Sequence, residues 1–148
     1  MEIQEDEKYM LEALKEAQYA FDRDEVPVGA VIVCAGKIIA RSHNLTELLI
    51  DVTAHAEMQA ITSAANAISG KYLNECSLYV TLEPCLMCAG ALGWSQIGTI
   101  VYGADDEKKG FSTSGAKPLH PKTIMRKGIL KEECTTLLKN FFKKKRSE

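Results

Sequence analysis

The chain has 148 residues, of which 46% are hydrophobic and 26% charged, which suits a single folded domain (residues 1–148) and excludes a disordered polymer. No apolar run approaches the roughly 20 residues that cross a bilayer, and the acidic start (Met1-Glu2-Ile3-Gln4-Glu5-Asp6-Glu7) is unlike a secretory signal, so a cytoplasmic protein with no membrane partner is expected. The net charge of -2 divides unevenly: residues 1–100 hold 6 Lys+Arg against 14 Asp+Glu, and residues 101–148 hold 12 against 6.

In residues 5–22, Met10, Leu11, Leu14, Ala17 and Phe21 fall on one helical stripe. Residues 26–34 are rich in β-branched side chains and predict a strand. A turn at Ala35-Gly36 and a second strand over 37–42 complete a hairpin. Residues 53–68 predict a helix that stops near Gly70. A third strand is expected over 77–81, followed by a helix with Pro84 at its first position that runs to about Trp94. A fourth strand is expected over 97–102. Residues 103–121 then read as a long surface loop, of the kind that is functional or mobile. A short strand near 123–126 precedes a last helix, on which Leu130, Cys134, Leu137, Leu138, Phe141 and Phe142 keep helical spacing. Helices and strands alternating after a hairpin imply an α/β sheet covered on both faces. The terminal run Lys143-Lys144-Lys145-Arg146 fits either a phosphate-facing surface or a solvated helix end.

The five cysteines are odd in number and follow no export signal, which argues against a disulfide framework. Cys34, Cys76 and Cys134 read as small buried apolar residues. Cys85 and Cys88 differ. They stand three apart at an expected helix opening, so both project from one side of the first turn, where the helix dipole favours the metal-binding thiolate. His55, at the mouth of the preceding helix, adds an imidazole. Three protein ligands of this kind leave one position of a zinc ion for water, as catalytic sites do. The metal makes that water acidic near neutral pH. Glu57, two residues beyond His55, shares the site only at the helix mouth, where it can move protons between water, a ring nitrogen and a leaving amine. The competing reading is a structural zinc with Cys76, His43 or His120 as fourth ligand, which leaves Glu57 without a role.

His-x-Glu followed by Pro-Cys-x-x-Cys resembles the signature of the cytidine/deoxycytidylate deaminase superfamily. Within it, Glu25-Val26-Pro27-Val28-Gly29-Ala30-Val31, Thr53 to Glu57, Tyr79 to Ala91, Gly103-Ala104, Asp106, Lys108, Gly110 and the tail from Glu133-Cys134 through Phe141-Phe142 are similar to the bacterial tRNA-specific adenosine deaminase family. The likeness spans about residues 5–146. It implies a three-layer α/β/α fold around a mixed five-stranded sheet and a homodimer with one zinc ion per subunit. The implied reaction is conversion of adenosine to inosine at the wobble position of a tRNA anticodon loop. By motif position Asn44 meets the purine edge, and the backbone of Val28 and Ala56 lines the pocket. Asp106 and Lys108 lie beside the flipped nucleotide, and the basic tail with Lys143, Lys144 and Arg146 meets phosphate. The chain departs from the family pattern at Leu48-Leu49-Ile50, Asp51-Val52-Thr53 and Ser95-Gln96. The apolar run at 48–50 suits a subunit interface or the core. A deaminase of a free base or nucleoside needs the same zinc site without a basic surface, and a zinc-stabilised binding module needs no Glu57.

Overall fold

In the computed structural model, which describes residues 2–148, the amphipathic N-terminal stretch forms α1 (Glu2–Asp22), three residues longer at its start than the periodicity indicates. Its buried stripe includes Tyr9, Met10, Ala13, Ala17 and Ala20. The small residues bring the helix hard against the sheet. A Cβ placed on Gly29 would lie 2.0 Å from the Ala13 carbonyl oxygen and 2.4 Å from the Ala17 nitrogen.

The first strand, β1 (Gly29–Cys34), begins later than the β-branched run suggests. Pro27 donates no hydrogen bond, and the Val28 amide folds back on the Val26 carbonyl at 2.8 Å, a tight turn that delays the ladder. Ala35 and Gly36 both have positive φ (52° and 76°), the backbone of a hairpin turn whose twist matches its strands. The return strand is β2 (Lys37–His43). Then follow α2 (Ala56–Ile68), β3 (Cys76–Leu82), α3 (Leu86–Ser95), β4 (Thr99–Ala104), a single 3-10 turn at Phe111–Thr113, β5 (Ile124–Lys127) and α4 (Lys131–Arg146). The strands form one mixed sheet in the order β2-β1-β3-β4-β5, antiparallel on both sides of β1 and parallel from β3 to β5.

One face of the sheet packs on α2 and α3 through Ile32, Leu78, Val80, Ile100, Ala60, Ala64 and Leu92. The other packs on α1 and α4 through Val31, Tyr79, Val101, Met10 and Cys134. The fold is therefore the three-layer α/β/α arrangement around five strands that the resemblance implies. Each fully buried large apolar side chain contributes about 1.5–3 kcal/mol to holding the layers together.

The topology places the chemistry. With β1 reversed between them, β2 and β3 point the same way. Helices α2 and α3 follow these two strands on the same face, so both open at the same edge of the sheet.

Candidate functional site

Two sequence-based helix starts shift in a way that builds the site. Residues 53–54 are turn rather than helix. The Asp51 side chain accepts from the Thr53 amide at 2.8 Å, the Ala54 amide bonds the Asp51 carbonyl, and α2 begins at Ala56 with His55 as its extended N-cap (φ -72°, ψ 156°). Pro84 does not open α3 either. Cys85 is the N-cap (φ -73°, ψ 172°), because the Pro84 carbonyl accepts from the Phe111 amide and Cys85 forms a β-bridge with Gly110, which keeps the chain extended for two more residues. Each outermost ligand thus stands just off a helix end, free to turn toward the other.

His55, Cys85 and Cys88 each offer one ligand atom, and these lie within 4.8 Å of one another. His55 Nδ1 is 3.7 Å from Cys85 Sγ and 3.5 Å from Cys88 Sγ. A tetrahedral zinc with its usual bond lengths requires a nitrogen-to-sulfur edge of about 3.6 Å, so the residues fit such an ion. No fourth protein ligand joins the cluster among the described residues. His43 pairs with Glu16 at 2.9 Å, His120 Nδ1 accepts from the Lys122 amide, and Cys76 sits opposite Cys34 in the β1–β3 ladder. Cys76 and Cys134 are buried, whereas Cys34 is half-buried.

Without a metal, the two sulfurs divide the available protons. Hydrogen bonds from Cys88 and His55 bring the Cys85 thiol down to about 4, and Cys88, the donor in that contact and itself buried, is pushed up. The Cys85 thiolate in turn raises His55. A soft cation held here would draw one lone pair from each of the three side chains and favour their deprotonated forms.

Glu57 is the second residue of α2 and 4% exposed. Its carboxyl lies against Cys88 and its own amide, and burial raises its pKa to about 7. Such a group gives and takes a proton at neutral pH with little bias either way. Beside it, Asn44 is 9% exposed. Its Oδ1 accepts the orphan Ala56 amide of the helix end at 2.8 Å, and its own amide bonds the Val28 carbonyl at 3.1 Å. Asn44, Val28 and Ala56 are therefore neighbours, and the Asn44 amino group retains its donors for a ligand.

Several supporting residues carry no recognisable signal of their own in the sequence. Ser42 donates to the Ala56 carbonyl at 2.7 Å, and Gln59 donates to the carbonyls of His43 and Ala54. Buried Glu25 accepts from the amides of Glu47 and Leu48, pinning the loop after Asn44. Glu25 stands in a motif that sequence reading singles out, but its partners lie more than 20 residues away.

The remaining expected residues lie outside this cluster. Asp106 is half-buried and spends its carboxylate on the amides of Lys108 and Lys109, while Lys108 is exposed. Lys143 and Arg146 line a groove of about 470 Å³ with Asp105, Lys139 and Phe142. Lys144 lies over the Phe21 ring, 5.4 Å from its centroid. Leu48, Leu49 and Ile50 are exposed, Ile50 to 92%, so this run is not core.

The MafB19-like deaminase family model matches residues 4–146. The tRNA-specific adenosine deaminase of Aquifex aeolicus is 46% identical over 95% of this chain and 96% of its own length. That of Bacillus subtilis is 44% identical over 97% and 92%. A solved structure from studies of A-to-I editing by tRNA:A34 deaminases at the wobble position of transfer RNA superposes with a TM-score of 0.82, at 42% identity over 88% of this chain and 99% of that one. With its His-Cys-Cys cluster and buried glutamate in place, the chain belongs to the MafB19-like deaminase family, on the branch of the tRNA-specific adenosine deaminases.

Proposed function

We propose that this protein is a zinc-dependent hydrolase that converts adenosine to inosine at the wobble position of a tRNA anticodon, with His55, Cys85 and Cys88 holding one zinc ion per subunit and Glu57 carrying protons. The observation that supports it best is the meeting of three ligands at tetrahedral spacing with a buried carboxyl poised near neutrality. When bound, zinc supplies an acidified water as the nucleophile. Glu57 would take up one proton of the attacking water and deliver it to a purine ring nitrogen as C6 is attacked, then take the proton of the hydroxyl newly added at C6 and pass it to the departing amine, so that water and adenosine become inosine and ammonia. Asn44, its oxygen committed to Ala56, donates from Nδ2 to the purine edge, and Val28 and Ala56 line the base pocket.

The adenine reaches the pocket only when it is splayed out of the anticodon stack. The basic C-terminal third supports an RNA substrate: Lys143, Lys144 and Arg146 are exposed on the last turns of α4, and Phe142 (44% exposed) offers a stacking face. Asp106 shapes the loop that presents Lys108 to the flipped nucleotide. A homodimer is supported by the large apolar side chains left exposed, Leu48, Leu49, Ile50 and Val52 on the loop and Trp94 on α3. The expected compartment is the cytoplasm, where the tRNA is. Among the described residues no helix is long and apolar enough to cross a membrane.

Incubating the protein with total tRNA and reading inosine by mass spectrometry is the direct test. Inosine confined to position 34 is expected, with binding that weakens steeply as salt rises. Equal turnover of free adenosine, cytosine or guanine would instead establish a deaminase of free bases or nucleosides.

A further inference from the structure

Glu83 lies immediately before Pro84-Cys85, is 3% exposed, and takes no part in the proton transfers described above. Its carboxylate faces backbone amides and a hydroxyl, with no lysine or arginine paired to it among the described residues. Oε1 accepts the Asp106 amide at 3.1 Å, and Oε2 accepts both the Ser112 amide at 3.1 Å and the Ser112 hydroxyl at 2.6 Å. All three donors belong to the loop after β4. The same loop is stitched to the Cys85 turn by the Phe111 amide on the Pro84 carbonyl and by the Gly110–Cys85 bridge. Gly110 makes room for the carboxylate: a Cβ there would lie 2.4 Å from both Cδ and Oε1 of Glu83. Between the anchored ends, Asp106 gathers the amides of Lys108 and Lys109, so that both lysines stand on a segment fixed at each side. A buried carboxylate satisfied only by loop amides and one loop hydroxyl costs more to desolvate than a neutral residue of its size, and what it returns here is the placement of that loop.

We propose that Glu83 is a positioning residue for the substrate: it clamps residues 106–112 to the rim of the metal cluster, so that Lys108 and Lys109 meet the nucleic acid as a preformed surface. This rests on the tRNA reading above. A glutamine at 83 keeps one accepting oxygen and turns an amino group toward the remaining donors, which releases one end of the clamp. The ligands and Glu57 are untouched.

The test uses full-length zinc-loaded protein and the variants Glu83→Gln and Ser112→Ala. Amide hydrogen exchange over residues 106–112 is expected to accelerate roughly tenfold or more in Glu83→Gln, and less in Ser112→Ala. Zinc stoichiometry stays unchanged in both. With tRNA as substrate, KM rises about tenfold in Glu83→Gln while kcat changes less than about threefold, the signature of lost positioning rather than lost chemistry. If Glu83→Gln does not fold, Ser112→Ala decides the matter by the same two readouts. Unchanged exchange over 106–112, or a fall in kcat with KM constant, overturns the proposal. A wild-type protein that leaves tRNA unmodified overturns the substrate assignment, and with it the role of Glu83 toward nucleic acid, while the exchange rates still report whether the clamp exists.

Discussion

At the scale of single residues, Glu57 has two separable effects. In the proposed role of proton carrier, Glu57→Gln should fold, hold zinc as the wild type does, and lose roughly 10²–10⁴-fold in turnover, measured as inosine formed per zinc. As a buried acid, it also costs stability. Its folded pKa of about 7 stands above the ordinary 4.5, so the stabilisation due to the neutral form is complete below pH 4.5 and is lost as pH rises through 7. In chelated protein Glu57→Gln should therefore gain about 3 kcal/mol over the wild type at pH 8 and nothing at pH 4, read from urea midpoints at the two pH values. The meeting of His55, Cys85 and Cys88, with buried Glu57 beside them, was legible in the sequence because metal chemistry restricts residue type and spacing severely. Glu25 and Glu83 were not readable in the same way. A buried carboxylate that accepts from distant amides has no spacing rule, and only the folded loops reveal its partners.

At the scale of elements, the contact between α1 and β1 is the tightest test of packing. Gly29→Ala drives a methyl group into the Ala13 carbonyl, backbone against backbone, where no side chain can yield. A loss of about 3 kcal/mol or more in unfolding free energy is expected, with a matching fall in melting temperature. Along α4, replacing Lys143, Lys144 and Arg146 together by alanine should weaken tRNA binding and reduce the slope of log affinity against log salt by about 2–3, as long as each contacts a phosphate. The order of helices and strands was legible from periodicity, but the ends of elements were displaced where loops intervene. The turn at Pro27 delays β1, the Asp51 turn delays α2, and the bridge from Gly110 delays α3. Those small displacements decide function, because they leave His55 and Cys85 at cap positions rather than inside helices.

At the scale of the whole molecule, charge and exposed apolar surface govern association and pH tolerance. If the loop of Leu48, Leu49 and Ile50 meets a second copy, Ile50→Glu should convert the dimer to monomer in sedimentation runs while leaving the metal bound. Strong alkali should loosen the fold. Burial pushes Cys134 up to about 12 from 9.0, and burial with the Asp6 hydrogen bond raises Tyr79, so the stability held by their neutral forms is full below pH 9 and drains as pH rises toward 12. A chain carrying Tyr79→Phe should show a shallower decline of urea midpoint between pH 9 and 11.

Asp6, which accepts from Tyr79 at 2.9 Å, also receives Arg126 in a two-pronged ion pair at 2.7 and 3.0 Å, joining the start of α1 to β5. Strand β5 is the border of the sheet and mostly exposed, so its outer row of amides and carbonyls is a template on which a foreign strand can grow. Removing the arginine that fastens this hem to the body of the protein should loosen the strand, and the loss is expected to be felt first as poor solubility on storage.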